Sequence, residues 1–246
     1  MKIRIAITDS RIDQESERKL TLLGYRVLTL PPFSRLSAPV ASHPDMLIKR
    51  IGGEYISYAD YCEEASYVFS DLSLMCVGTG SRFMFTADEV APTYPDDVKL
   101  NALEIGGKLF CRVKSASEAM LDAARKSGLE IVNVNQGYPA CTVLKLNEAA
   151  AITADRGMAE ILTKHGIRVT LIENGGISLP PYDYGFIGGA GEVDQGRLFL
   201  FGDPSSHAEG EKILSAAEHE GLRVVALSSS PLRDLGGIIF AEGNID

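Results

Sequence analysis

Residues 141–180 read CTVLKLNEAAAITADRGMAEILTKHGIRVTLIENGGISLP. This stretch holds one complete structural unit: strand, tight turn, strand, helix, strand. Thr142–Leu146 alternates apolar and polar residues, and Asn147-Glu148 turns the chain. Ala149–Thr153 is the return strand. Asp155 is placed to cap a helix, because its carboxylate can accept from the free N–H groups of a first turn. Met158, Ile161, Leu162 and His165 then recur at helical spacing. Gly166 stops that helix, since the residue after a helix commonly turns left-handed. Ile167–Ile172 is the third strand.

The same order recurs on both sides. Lys99 opens a copy in which Leu100–Ile105, Gly106-Gly107 and Leu109–Val113 form the hairpin. Ser115 and Glu118 have capping-box spacing, Gly128 ends the helix and Leu129–Val134 is the strand. Tyr184 opens another copy at nearly the same interval, with a hairpin around Asp194-Gln195-Gly196, a helix over Glu209–Glu220 and a strand over Leu222–Leu227. Nearer the N-terminus, Met46–Ile51 and Glu54–Ser57 flank Gly52-Gly53 as a hairpin. Tyr58–Ser70 is the expected helix there, and Leu74–Val77 the expected strand. Thr79–Asp97 is expected to be an insertion with a short strand of its own near Arg82–Thr86.

The two ends of the chain are incomplete and complementary. Ile3–Ile7, Asp13–Leu23 and Tyr25–Leu30 give strand, helix, strand, with no first strand. Ile238–Phe240 is a first strand with nothing after it. Joined, the ends make a fifth unit. The expected organisation is a single domain over 1–246, with units at about 235–246 plus 1–32, 43–78, 99–137, 141–179 and 184–230, and an insertion at 79–97. Closing five units by pairing the chain ends leaves no long sheet edge exposed. The fold expected is a closed, pseudo-symmetric five-unit α/β propeller with strands inside and helices outside. An ordinary doubly wound sheet is disfavoured, because every unit opens with a hairpin whereas parallel strands need crossovers.

Composition narrows the function. The 246 residues are 45% hydrophobic and 23% charged, with a formal net charge of −9. No Lys/Arg-rich run is present, so nucleic acid is not an expected partner. No apolar run approaches a membrane span, and the N-terminus lacks the pattern of a signal peptide. Cys62, Cys76, Cys111 and Cys141 form no CxxC and no zinc-ligand spacing. These features point to a reducing, cytoplasmic compartment, with no metal and no cofactor expected. The acidic balance favours approach by a cation.

A closed ring of five such units resembles the pentein fold of guanidino-group-modifying enzymes, which a non-enzymatic ribosome anti-association factor shares. GYPACTVLKLNEAAAITADRG, YDYGFIGGAGEVDQGRLFLFGD and LRDLGGIIF are also similar to an uncharacterised bacterial family of that fold. The resemblance implies an axial site where a Cys attacks a guanidinium carbon, a His-x-Asp pair handles protons, and further acids hold the cation. The residue types suit the chemistry. Thiolates are strong nucleophiles when their pKa is lowered or a base is near. Carboxylates pair with guanidinium geometry, and His exchanges protons near neutral pH.

Carried onto this chain, the nucleophile is Cys141, at a unit start and followed by Thr142. Its plain alternative is a small buried apolar thiol. His43-Pro44-Asp45 matches His-x-Asp, also at a unit start, although the same residues suit a loop turn. Asp234 opens the final strand. Asp183, Asn101 and Tyr184 join as candidate substrate-binding residues near unit starts. Gly188-Gly189 resembles part of the family's Glu-Gly-Gly-Asp element, but both acids are missing here. Cys141 lies mid-chain rather than near the C-terminus. The cyclic order is kept only if the ring is entered at another point. His165, His207 and His219 are expected to face solvent. Two functions follow: a cysteine-dependent hydrolase or transferase of guanidino or amidino compounds, or a non-catalytic pentein binding a small molecule or protein through its axial face.

Overall fold

Short apolar strands separated by amphipathic helices set the local structure. In the computed structural model, which describes residues 2–244, they assemble into five three-stranded sheets. The chain opens with β1 (Lys2–Asp9), α1 (Gln14–Leu22) and β2 (Tyr25–Leu30). A one-turn helix, α2 (Pro44–Leu47), leads into β3 (Ile48–Ile51), β4 (Glu54–Tyr58), α3 (Ala59–Glu64), α4 (Ser66–Met75) and β5 (Arg82–Thr86). Next come β6 (Leu103–Ile105), β7 (Lys108–Cys111), α5 (Glu118–Lys126) and β8 (Glu130–Asn133). A second one-turn helix, α6 (Pro139–Thr142), precedes β9 (Val143–Asn147), β10 (Ala150–Thr153), α7 (Arg156–Lys164) and β11 (Arg168–Leu171). A 3₁₀ turn at Gly188–Ala190 precedes β12 (Gly191–Asp194), β13 (Arg197–Leu200), α8 (Gly210–His219) and β14 (Arg223–Ala226), and β15 (Ile239–Asn244) comes last.

Each sheet repeats one pattern. A first strand pairs antiparallel with a second, and the second pairs parallel with a third after a helical crossover. In the sheet built from both chain ends, β15 supplies the first strand. It runs antiparallel to β1, with Ile7 opposite Ile239, Ile5 opposite Ala241 and Lys2 opposite Asn244. β1 then pairs parallel with β2. The tail therefore donates the strand that the head lacks, as its sequence requires.

Apolar residues fill the spaces between neighbouring sheets. Ile5, Ile7, Ile48, Ile56 and Leu109 share the largest core cluster, which joins the first three sheets. Phe110, Val143, Met158 and Leu162 join the third sheet to the fourth. Leu144, Ile152, Leu198 and Ile213 join the fourth to the fifth. Phe199, Phe201, Ala6 and Tyr25 join the fifth back to the first. In the fourth sheet, the Asp155 carboxylate accepts from the Met158 N–H, and Gly166 follows the helix at φ +83°.

Several expectations are corrected. Leu74–Val77 is not a strand. Ser66–Met75 is helical because Val68, Phe69, Leu72 and Met75 bury one face at helical spacing, and Leu74 and Val77 lie exposed. Arg82–Thr86 is consequently the third strand of the second sheet, not part of an insertion. The expected helix over Tyr58–Ser70 is divided at Ala65. The capping box at Ser115 does not form. α5 begins at Glu118 behind Ser117, and the Ser115 hydroxyl accepts from Arg112 Nη1. His207 is buried, and its Nδ1 accepts from the Glu209 N–H, whereas His219 is exposed. Among the described residues, no helix is long and apolar enough to cross a membrane.

Candidate active site

Two prolines shape the approach to the site. Pro44 and Pro139 each occupy the first position of a one-turn helix, where a fixed φ is already helical and the missing N–H costs nothing. His43 and Cys141, expected at strand starts, thus sit beside or within a helical turn just ahead of β3 and β9. Asp45 lies in the first of these turns. Asp234 lies in the segment between β14 and β15. Four segments far apart in the chain consequently deliver Asn101, Cys141, His43 with Asp45, and Asp234 to one place.

Asn101 ties the group together. Its Nδ2 donates to Cys141 Sγ at 3.0 Å and to the Asp45 carbonyl at 3.3 Å, while its Oδ1 accepts from the Ala140 N–H at 2.9 Å. His43 Nδ1 stands 3.8 Å from Asp234 Oδ1 and 3.9 Å from Asp45 Oδ1, and His43 Nε2 stands 3.8 Å from Asp9 Oδ2. These distances exceed hydrogen-bond length. Both ring nitrogens and both Asp45 oxygens are buried without a hydrogen-bond partner among the described residues. Unpaired buried polar atoms are costly, and their clustering marks a place arranged for something other than stability. Asp234 is held more firmly, accepting from the Phe186 N–H at 2.8 Å and the Gly236 N–H at 3.1 Å.

Burial dominates the electrostatics. Cys141 is 3% exposed and His43 1%. Desolvation first, then the fields of Asp45 and Asp234, push the Cys141 thiol well above its ordinary value. Burial pulls His43 below the usual imidazole value, against the attraction of Asp234 and Asp9. Burial also raises Asp45 to about 6 and shifts Asp234 upward, the latter opposed by His43. Both directions favour a protonated thiol and a neutral imidazole before a ligand enters.

Backbone packs against this group closely enough to demand glycine. A Cβ on Gly189 would collide with Asp234 Oδ1. Gly236, at φ +68°, would drive a Cβ into His43. The Gly188-Gly189 pair therefore lets the chain lie on the acid, and both glycines neighbour the reactive group.

Asp183 and Tyr184 are not brought into this cluster. Both are exposed, and Tyr184 borders a separate cleft with Asp155, Glu173 and Phe186. The loop after β11 carries them outward before Gly185 turns in against Asp234. The sequence reading missed Asp9, a fully buried carboxylate at the end of β1 whose oxygens are held by Arg11 through Nε and Nη2. Its only signal was a charge closing an apolar strand. Among the described residues, no cluster of three or more His, Cys, Asp or Glu is arranged to hold a metal ion.

A cleft of about 800 Å³ borders the group at Asp45. The first strands of all five sheets border it, and Asp45, Ala140, Gly188, Gly236 and Gly237 form one end.

A family model matches residues 7–239. The chain belongs to DUF6873, a family of unknown function. No match was found among curated proteins. Among solved structures, this DUF6873 member is similar to a dimethylarginine dimethylaminohydrolase, with 12% identity, a TM-score of 0.57 and coverage of 93% of each chain. It is also similar to the enzyme of that name from Pseudomonas aeruginosa, a cysteine-to-serine mutant complexed with citrulline. That match has 11% identity, a TM-score of 0.56 and coverage of 92% of this chain and 91% of that one. An inosamine-phosphate amidinotransferase from Streptomyces griseus matches at 15% identity and a TM-score of 0.52, over 92% of this chain and 78% of that one. At these identities the likeness establishes the fold. The DUF6873 chain has the pentein fold.

Proposed function

We propose that the protein is a cysteine-dependent hydrolase or amidinotransferase acting on a guanidino or amidino compound. The observation that carries this reading is the convergence of Cys141, His43, Asp45 and Asp234 in one buried group whose imidazole and Asp45 carboxylate lack hydrogen-bond partners among the described residues. The guanidino-modifying activities named for the structural neighbours support the substrate class. The five sheets are read as blades of a closed ring, which explains how segments so far apart in sequence meet.

The electrostatics suggest an order of events. A guanidinium between Asp45 and Asp234 offsets the two negative fields that hold the thiol protonated, so the thiol pKa falls when the cation binds. The thiol proton passes to the neutral His43, and Cys141 Sγ bonds to the guanidinium carbon. His43 then returns the proton to the departing nitrogen as the C–N bond breaks, and the amidino group stays on sulfur. Water attacking that carbon completes hydrolysis, and an amine attacking it completes transfer. In either case the C–S bond breaks and the thiol is restored. Asn101, already donating to Sγ, steadies the sulfur as charge develops there.

A non-catalytic pentein that binds a partner through its axial face is the second reading. It is favoured by the near-complete burial of Cys141 and His43. The deciding experiment incubates the protein with a panel of guanidino compounds and follows release of amine and ureido products. Turnover lost in Cys141→Ala, and cut by about 100-fold or more in His43→Gln, supports the enzyme. Thermal stabilisation by the same compounds, without product and unchanged in Cys141→Ala, supports the binder.

A further inference from the structure

The cleft bordered by the five first strands carries charges that the proposed chemistry does not use. Four consecutive sheets place charge on its wall through Lys49 of β3, Glu104 of β6, Lys145 of β9 and Glu192 of β12. Arg50 of β3 and Asp194 of β12 also line it, but Arg50 donates to the Phe240 carbonyl and Asp194 accepts from the Tyr25 hydroxyl. The signs of the first four alternate along the series. Ile239 and Phe240 of β15 make the remaining wall apolar. Among the described residues, no ion pair joins any two of these four. Lys49 Nζ donates to the Ala102 carbonyl at 2.6 Å, and Lys145 turns to Glu148 at the rim. Glu192 accepts only from the adjacent Val193 N–H, among the described residues. Lys49 and Glu192 have no side-chain partner among the described residues and so retain hydrogen-bonding capacity, since an ammonium has three donors and a carboxylate about four acceptor sites.

Lys49 and Glu192 are also partly desolvated. Burial lowers the Lys49 pKa and raises that of Glu192 to about 7. A ligand that supplied both signs would satisfy both kinds of group, whereas a simple anion or cation would meet a repelling neighbour at every position. Asp45 borders both this space and the reactive group, with backbone packed between them. Gly188 packs on the carbonyls of Ala140, Cys141 and Val143, and the Asp45 oxygens are buried beneath the surface.

We propose that this cleft is a second binding site, for a small zwitterion whose ammonium lies against Glu192, whose acid group lies against Lys49, and whose apolar middle lies on the β15 wall. The proposal is independent of the catalytic reading.

The test is titration calorimetry with glycine, β-alanine and taurine, against ethylamine and acetate as singly charged controls. At least one zwitterion binds about tenfold or more tightly than either control, and Lys49→Gln and Glu192→Gln each weaken it by about tenfold. A cooperative melt confirms that both variants fold. Cys141→Ala leaves the binding unchanged, which keeps this result separate from the fate of the chemistry. Zwitterions that bind no better than the controls, or binding indifferent to both substitutions, overturn the proposal.

Discussion

At the residue scale, the site is built from groups whose burial opposes their charged forms. Five of the seven candidate residues lie together in the fold, at unit starts that the family resemblance implied would face the axis. Asp183 and Tyr184 were not separable from them. They also precede a strand, but a solvent-facing loop intervenes, and loop paths leave no periodicity to read. The wall charges Lys49, Glu104, Lys145 and Glu192 were hidden by alternation, which ordinarily means a solvated strand face. Their burial has a measurable sign. Glu192 is raised from its ordinary value to about 7, so the folded state favours its protonated form. That contribution to stability is present below the unfolded pKa and is lost as pH rises through about 7. Glu192→Gln should therefore leave Tm nearly unchanged at about pH 5 and raise it at about pH 9, removing a penalty of order 1–3 kcal/mol. Equal effects at both pH values would show that Glu192 is not desolvated.

At the element scale, hairpins and helices with strong period followed from sequence, and boundaries depended on local chemistry. α7 was readable because Asp155, the apolar spacing and Gly166 agree. Asp155 also receives Gln136 Nε2 at 2.6 Å, so the cap is tied to the loop before α6. Asp155→Ala should cost about 1 kcal/mol in urea unfolding, and an unchanged midpoint would mean that the cap contributes nothing. α4 was misread because its apolar residues run past one face, leaving Leu74 exposed and imitating the start of a buried strand. The one-turn helices α2 and α6 were invisible to periodicity, being shorter than one repeat. Pro44 and Pro139 were the available signal, since each fits a first helical position.

At the scale of the whole molecule, both incomplete ends foretold the sheet in which β15 lies along β1. A chain whose ends pair can be cut elsewhere. Joining residue 246 to residue 1 through a short Gly/Ser linker and opening the hairpin between Gly52 and Gly53 should give a permutant with a cooperative melt. Loss of cooperative unfolding would argue against the end-to-end pairing. The same gathering of distant segments underlies the central claim, that a thiol and two acids meet at a site for a guanidinium-like cation. Its most direct measurement compares alkylation of Cys141 by chloroacetamidine, a cation, and by chloroacetamide, its neutral counterpart, with peptide mapping by mass spectrometry. The account predicts fast modification of Cys141 by the amidine and slow modification by the amide, with the amidine's advantage lost in Asp45→Asn and Asp234→Asn. Equal rates for the two reagents, or modification confined to the other cysteines, would contradict it.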